Sequence, residues 1–479
     1  SSIQEGLDAQ DDKAMVAVAA GTYVENLYMS SDHSGMHLAG RCRDLVTIDG
    51  SDVPDGYVEY GAGLFLEKTG VGGLWTVTGL TVARAPQAGL LQIGGKLVLE
   101  DAVVADNLEI GLYLNSGTAE VRDVEISGNT TAGVSAWSHG VTLERVEVRD
   151  TRGRGVEAQV GSTLTVTDST FADNEEFGVV VIGSEGTLTN CDLHDNTVAG
   201  LVASESTVEV HGCRVFDSED LGSSVESRGI AAQTDSVLLV TDSTVESVHG
   251  NAISGQVSSS VTLVDCDVLG SRYGDGVYID QGSTLSASGC VLQGHRGAGI
   301  HVDGSQADLE ACSILETELD PEGGYAYGAW VANGAEFGAL DCVFRENGQF
   351  GVTVNGASAE LVSCSVLDTR ADPDGRFGRG VSVWNDGSLV AEDLVVRGSH
   401  EVGVLVSEST AHLTASEISG TRRLVDATEG LGLLSQKGST VTAEQLTVED
   451  NDGVGVYAVY GSDLSCTDCT LVGNAFANA

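Results

Sequence analysis

The chain has 479 residues, room for roughly two to four ordinary domains, and its 71 acidic against 23 basic side chains give a net charge of −48 at pH 7. That balance leaves no basic surface to displace the counterions of a nucleic-acid backbone, and it excludes an anionic membrane surface for the same reason. With 41% hydrophobic and only 20% charged residues the chain forms a core rather than a disordered acidic tail, and no run of 18 apolar residues marks a transmembrane helix.

No positively charged, apolar leader opens the chain, which is expected to be the start of a mature or trimmed protein. The first predicted element is a short amphipathic helix around Ile3 and Leu7, a cap over residues 1–14. Repeating folds need such a lid on the exposed end of their core. From residue 15 onward a repeat takes over. Segments 178–193 (GVVVIGSEGTLTNCDL), 200–215 (GLVASESTVEVHGCRV) and 351–366 (GVTVNGASAELVSCSV) align without gaps. Anchoring on the glycine before the first apolar residue gives Gly89, Gly111, Gly133, Gly155, Gly178 and Gly200, spaced 22, 22, 22, 23 and 22 residues apart. From Gly299 the steps alternate 29 and 23, through Gly328, Gly351, Gly380, Gly403, Gly432 and Gly455. Inside each unit apolar residues alternate, as at Val179, Val181, Leu188, Cys191 and Leu193, which predicts short strands with one buried face. A unit of this size cannot bury its own apolar face, so neighbours must stack.

This pattern resembles the right-handed parallel β-helix of pectin-lyase-like proteins over nearly the whole chain. The resemblance implies an all-β fold: a single right-handed solenoid over 15–479, of about 17 turns of 22–29 residues, behind the N-terminal helix. Asn107, Asn129, Asn174, Asn196, Asn347 and Asn451 each lie four residues before an anchor glycine. Asn tolerates the left-handed conformation, and in the family such residues stack at a tight turn. Cys191, Cys213, Cys266, Cys290, Cys312, Cys342 and Cys364 share one inward frame, which Cys469 joins. Stacked thiols are favoured there over disulfides between adjacent turns. Cys466 and Cys469 form a CxxC with no second pair at metal-ligand spacing, so zinc is not expected.

The residue two after each anchor should point outward, and the residue four after should lie near the strand end. The first column reads Tyr278, His301, Trp330, Thr353 and Ser382, and the second Asp280, Asp303, Ala332, Asn355 and Trp384. Tyr278, Asp280, His301 and Asp303 are therefore expected to form a patch on two turns, with the carboxylates ~5 Å apart. Asp280, Asp303 and His301 are the candidate catalytic groups; Tyr278, Trp330 and Trp384 offer flat faces to a sugar. Against this stands the plainer reading that the aspartates begin turns and the aromatics cover strand edges.

Insertions follow the cysteine strand in every long step: 217–228, 317–327, 369–379 and 421–431. Loops on a rigid repeat are where function concentrates. Two carry an Asp-Pro-acid-Gly core, Asp320-Pro321-Glu322-Gly323 and Asp372-Pro373-Asp374-Gly375. That is first a turn signature and second a calcium site built from Asp320, Glu322, Asp372 and Asp374. Arg345, Arg370, Arg376, Arg379, Arg397, Arg422 and Arg423 cluster nearby. Arg376 and Arg379 could receive an anionic polysaccharide, or the arginines could pair with loop carboxylates.

The catalytic sets of the family are not matched. Asn196-Thr197 is followed by Val198, and His139-Gly140 is preceded by Ser138, so the polygalacturonase-like set is absent. Val383-Trp384-Asn385-Asp386 lacks the His of the pectate-lyase-like segment. The last coil ends in GNAFANA without a lid, so the solenoid is expected to continue beyond residue 479. The functional expectation is an extracellular or cell-surface module for binding, adhesion or structure, directed at carbohydrate. The alternative is a polysaccharide lyase or glycoside hydrolase acting on the face of 276–386. No cofactor beyond calcium and no nucleic-acid partner is expected.

Overall fold

The computed structural model describes residues 2–10, 13–52, 61–68, 72–218, 227–319, 324–424 and 430–476. The chain divides into two compact units, Ser1–Ala231 with Asp235–Leu238, and Ala232–Thr234 with Leu239–Ala479. Each is a run of parallel β-turns, and together the turns number about 19. The expected 17 fell short because early strands such as Leu27–Met29 and Ala62–Glu67 precede the regular glycine spacing.

In the first unit the turn after Asn174 shows the plan. A six-residue strand (Phe177–Ile182) is followed by one of five (Glu185–Thr189) and one of three (Asp192–His194). All pair in parallel with the next turn, setting Val179 on Leu201, Leu188 on Val210 and Leu193 on Val215. The inward residues of these strands are fully buried, so the core is a column of stacked aliphatics. The second unit repeats the plan with Ala298–Asp303, Gln306–Glu310 and Ser313–Leu315, setting Val302 on Val331, Leu309 on Ala339 and Ile314 on Phe344.

Three corners close each turn. In the turn after Asn174 each has a left-handed residue followed by a small buried polar one: Gly183 before Ser184, Asn190 before Cys191, Asp195 before Asn196. Each buried side chain accepts the backbone N–H of its counterpart one turn earlier. Ser162 donates to Ser184 Oγ at 3.1 Å, Asn174 to Asn196 Oδ1 at 3.3 Å, and Cys191 to Cys213 Sγ at 3.3 Å. Corner amides that no strand pairs with are satisfied in this way. The asparagines do stack, with Asn174 Nδ2 donating to Asn196 Oδ1 at 2.9 Å. The left-handed residue, however, is the one before them (Asp106, Asp173, Asp195, Glu346, Asp450), which corrects the expectation for Asn itself.

The anchor glycines answer to space, not to dihedral angle. A Cβ on Gly328 would lie 2.4 Å from the Gly351 carbonyl oxygen, and one on Gly351 would lie 2.5 Å from that of Gly380. Adjacent turns approach there as only glycine permits. The seven cysteines of the shared frame are buried free thiols, and a disulfide joins Cys466 to Cys469.

At the N-terminus the helix is Ile3–Asp8. Ser2 and Glu5 form a capping box, and Ile3 and Leu7 are its buried face. No helix among the described residues is long and apolar enough to cross a membrane.

Candidate functional site

In the second unit the outer face of the six-residue strands carries the candidate side chains. Parallel register sets Tyr278 on His301, His301 on Trp330, Trp330 on Thr353 and Thr353 on Ser382. The Tyr278 and His301 rings meet edge to face at 4.9 Å, and His301 and Trp330 at 6.4 Å. Thr353 and Ser382 share the column yet are fully buried, and neither hydroxyl has a hydrogen-bond partner.

Asp280 is only 8% exposed. The Tyr278 hydroxyl and the Gln281 amide each donate to its Oδ2 at 3.1 Å, while its Oδ1 is buried without a partner. Burial, and then the charges of Asp280, Asp303 and Asp275, push the Tyr278 phenol above its ordinary range. Asp280 bonds the phenol directly, and the charges of Asp303 and Asp275 act on it from further away. Asp303 accepts from Asn333 Nδ2 at 2.6 Å.

Asp275 escaped the sequence reading. Its Oδ1 accepts the Ala298 N–H at 2.7 Å and its Oδ2 accepts from His301 Nδ1 at 2.9 Å. The carboxylate thus fixes the tautomer of His301 and leaves Nε2 as the free ring nitrogen. Asp275 stands one residue before an anchor glycine, and that position is a third column: Ala298, Tyr327, Phe350 and Arg379 follow it in register. Reading the residue before each glycine would have found it.

That column also builds an aromatic cluster beyond the two tryptophans expected. Tyr327 stacks on Phe350 at 5.0 Å and meets Trp330 at 4.4 Å. Tyr325 and Phe377, from two different insertions, meet at 5.9 Å, and Phe350 meets Phe377 at 5.3 Å and Trp384 at 5.9 Å. Arg379 lies 5.4 Å from the Phe377 ring and 5.6 Å from Trp384, and Glu401 holds it bidentately at 2.6 and 2.9 Å. Arg376 is paired as well, at 2.9 Å with Asp372 and 3.0 Å with Asp374. Of the two roles weighed for these arginines, the structure displays local pairing.

Both Asp372 oxygens are committed within the insertion, Oδ1 to the Arg376 N–H and Oδ2 to Arg376 Nε and Gln349 Nε2. Its carboxylate organises a turn. Asp320 and Glu322 lie outside the described residues, and among the described residues no group of three metal-ligating side chains forms. A separate concavity of about 360 Å³, on the five-residue strands, is lined by Ser286, Asp308, Glu310, Gly338, Leu340 and Glu360 and holds no aromatic ring.

The family described as right handed beta helix region matches residues 62–215 and 228–399. Among solved structures the chain is similar to the periplasmic alginate epimerase AlgG, at 11% identity with a TM-score of 0.33, covering 95% of this chain and 85% of that one. It is also similar to pectate lyase Pel9A, at 13% identity with a TM-score of 0.31, covering 71% and 79%. A third likeness is to the pre-mature bacteriophage phi29 gene product 12, at 10% identity with a TM-score of 0.42, covering 96% and 69%. No curated protein matches the sequence.

Proposed function

We propose a function from one premise, that the chain belongs to the right-handed β-helix family. It is an extracellular or cell-surface β-solenoid module whose outward face over 276–386 binds a carbohydrate chain. The observation that carries this reading is the in-register column of Tyr278, His301 and Trp330 beside Asp275, Asp280 and Asp303. Flat rings and carboxylates side by side suit the apolar faces and hydroxyls of sugar rings, and strand spacing repeats them every ~4.8 Å. The Cys466–Cys469 disulfide supports an oxidising location, where the buried thiols would be inert.

A panel of neutral, acidic and basic polysaccharides tests binding directly. Tyr278→Ala combined with Trp330→Ala should weaken binding at least about tenfold, as expected for aromatic anchors. Binding that survives both substitutions removes the aromatic platform from the reading.

One observation favours a second reading, a polysaccharide lyase or glycoside hydrolase. Asp275 orients His301 as general bases are oriented, next to two further carboxylates. Release of reducing or unsaturated ends, abolished by Asp303→Ala, would establish it. Calcium near Asp372 and Asp374, with Asp320 and Glu322, is a separate claim. A rise in melting temperature on calcium titration supports it, and no shift returns these residues to ordinary turns.

A further inference from the structure

We propose that the ligand of this face is a cationic amino-sugar polymer rather than a polyuronate, an inference that rests on the glycan-binding reading above. Charge is the first argument. Among the arginines of this region, Arg296, Arg376, Arg379 and Arg397 each already hold a carboxylate, and Arg370 donates to the Thr317 carbonyl oxygen. A polyuronate would have to break those pairs and approach a chain of net charge −48. The second argument is what the aspartates hold now. Asp275 accepts from a backbone N–H and His301, Asp280 from the Gln281 amide and the Tyr278 hydroxyl, and Asp303 from the Asn333 amide. Apart from the free Nε2 of His301, the spare acceptor capacity in the patch is on carboxylates, so it calls for N–H donors that carry positive charge.

The third argument is Asp280 itself, more than nine-tenths buried with Oδ1 partnerless. An uncompensated carboxylate oxygen costs free energy that a cationic donor would return. The exposed Gln281 side chain donates to the other oxygen, Oδ2, the position at which a cationic donor would replace it. The aromatic column supplies the remaining contact, because an ammonium above a ring face is attracted to it.

The test uses the whole chain and three hexasaccharides: fully deacetylated glucosamine, N-acetylglucosamine and galacturonate, compared by calorimetry at a mildly acidic pH. The glucosamine hexamer should bind at least about tenfold tighter than the acetylated one, with galacturonate weakest. Asp280→Asn and Asp303→Asn should each reduce that preference about tenfold. Asp267→Asn, an exposed carboxylate on the three-residue strands, should leave it unchanged and so exclude a bulk charge effect. Melting curves show whether Asp280→Asn folds; the more exposed Asp303→Asn carries the test if it does not. Equal or tighter binding of the acetylated or galacturonate hexamer overturns the proposal, as does a preference that both Asn variants retain. Binding of another panel glycan through Trp330, with none of the three hexamers bound, overturns this inference and leaves glycan binding standing. Binding of no glycan overturns both.

Discussion

The same outward column reads differently in the two units. In the first it begins with Tyr28, Phe65, Leu91 and Tyr113, where Phe65 and Leu91 are buried in an apolar cluster with Ala62 and Ala88. It continues through Ser135 and a single carboxylate, Glu157, to Val180, Val202 and Ala231, all buried. In the second it carries Tyr278, His301 and Trp330 among three aspartates. The ion pairs differ too. Arg145 of the first unit holds Asp123 between two exposed side chains, whereas Arg379 of the second is only 17% exposed and lies against aromatic rings. The strands underneath are alike in length and register. Folding is driven by the inward column and the corners, so the outward column is free to carry chemistry at little cost to the scaffold.

If the scaffolds are equivalent, the same insult should cost both units alike. Gly351→Val would force a Cβ to within 2.4 Å of Val366 Cγ1, and Gly133→Val to within 2.3 Å of Val148 Cγ1. Each should destabilise its own unit by about 3 kcal/mol or more, read by hydrogen exchange in the adjacent strands. A mild effect in one unit alone would break the comparison.

Acid should act on both units through a buried histidine. Burial lowers His139 in the first unit and His295 in the second to about 4. For His295 the geometry agrees: Nδ1 accepts the Ser271 N–H at 3.2 Å, so the ring proton sits on Nε2, which donates to the Val268 carbonyl at 2.9 Å. The unfolded chain takes up a proton near the ordinary value of 6.5 and the folded chain only near 4. The neutral ring's stabilisation is therefore present above 6.5 and lost as pH falls from 6.5 towards 4. His295→Asn, the residue that fills this slot in other turns, should remove roughly 3 kcal/mol of that pH dependence in denaturant titrations.

The ion pairs should sharpen the contrast. Glu401→Gln leaves Arg379 poorly compensated and should cost about 1–3 kcal/mol. Asp123→Asn in the exposed pair of the first unit should leave the denaturation midpoint unchanged. Cys312→Ser should likewise do little, shifting stability by less than about 1 kcal/mol, because serine fills the equivalent slot at Ser169 with the same bond to the carbonyl two residues back.

Periodicity made the architecture legible, because a solenoid writes its register directly into spacing. Gly299 to Gly328 to Gly351 was enough to bring His301, Trp330 and Thr353 into line. Asp275 and Glu401 were harder to see, since each acts across turns on a residue of another column. Tyr325 and Phe377 were harder still: they stand at the same place in two insertions on alternate turns, and only tertiary contact shows that they meet. Exposure was also misjudged at Thr353 and Ser382, where direction along a strand does not say what lies above it.

Serine, cysteine, asparagine and histidine fill the corner slots, each side chain taking one N–H from the preceding turn. Any turn obeying that rule can in principle replace any other without rewriting its neighbours. The molecule can therefore be edited like a stack of interchangeable cassettes, and a pair such as Tyr278 and His301 could be transplanted to another height by exchanging whole turns rather than by redesigning a pocket.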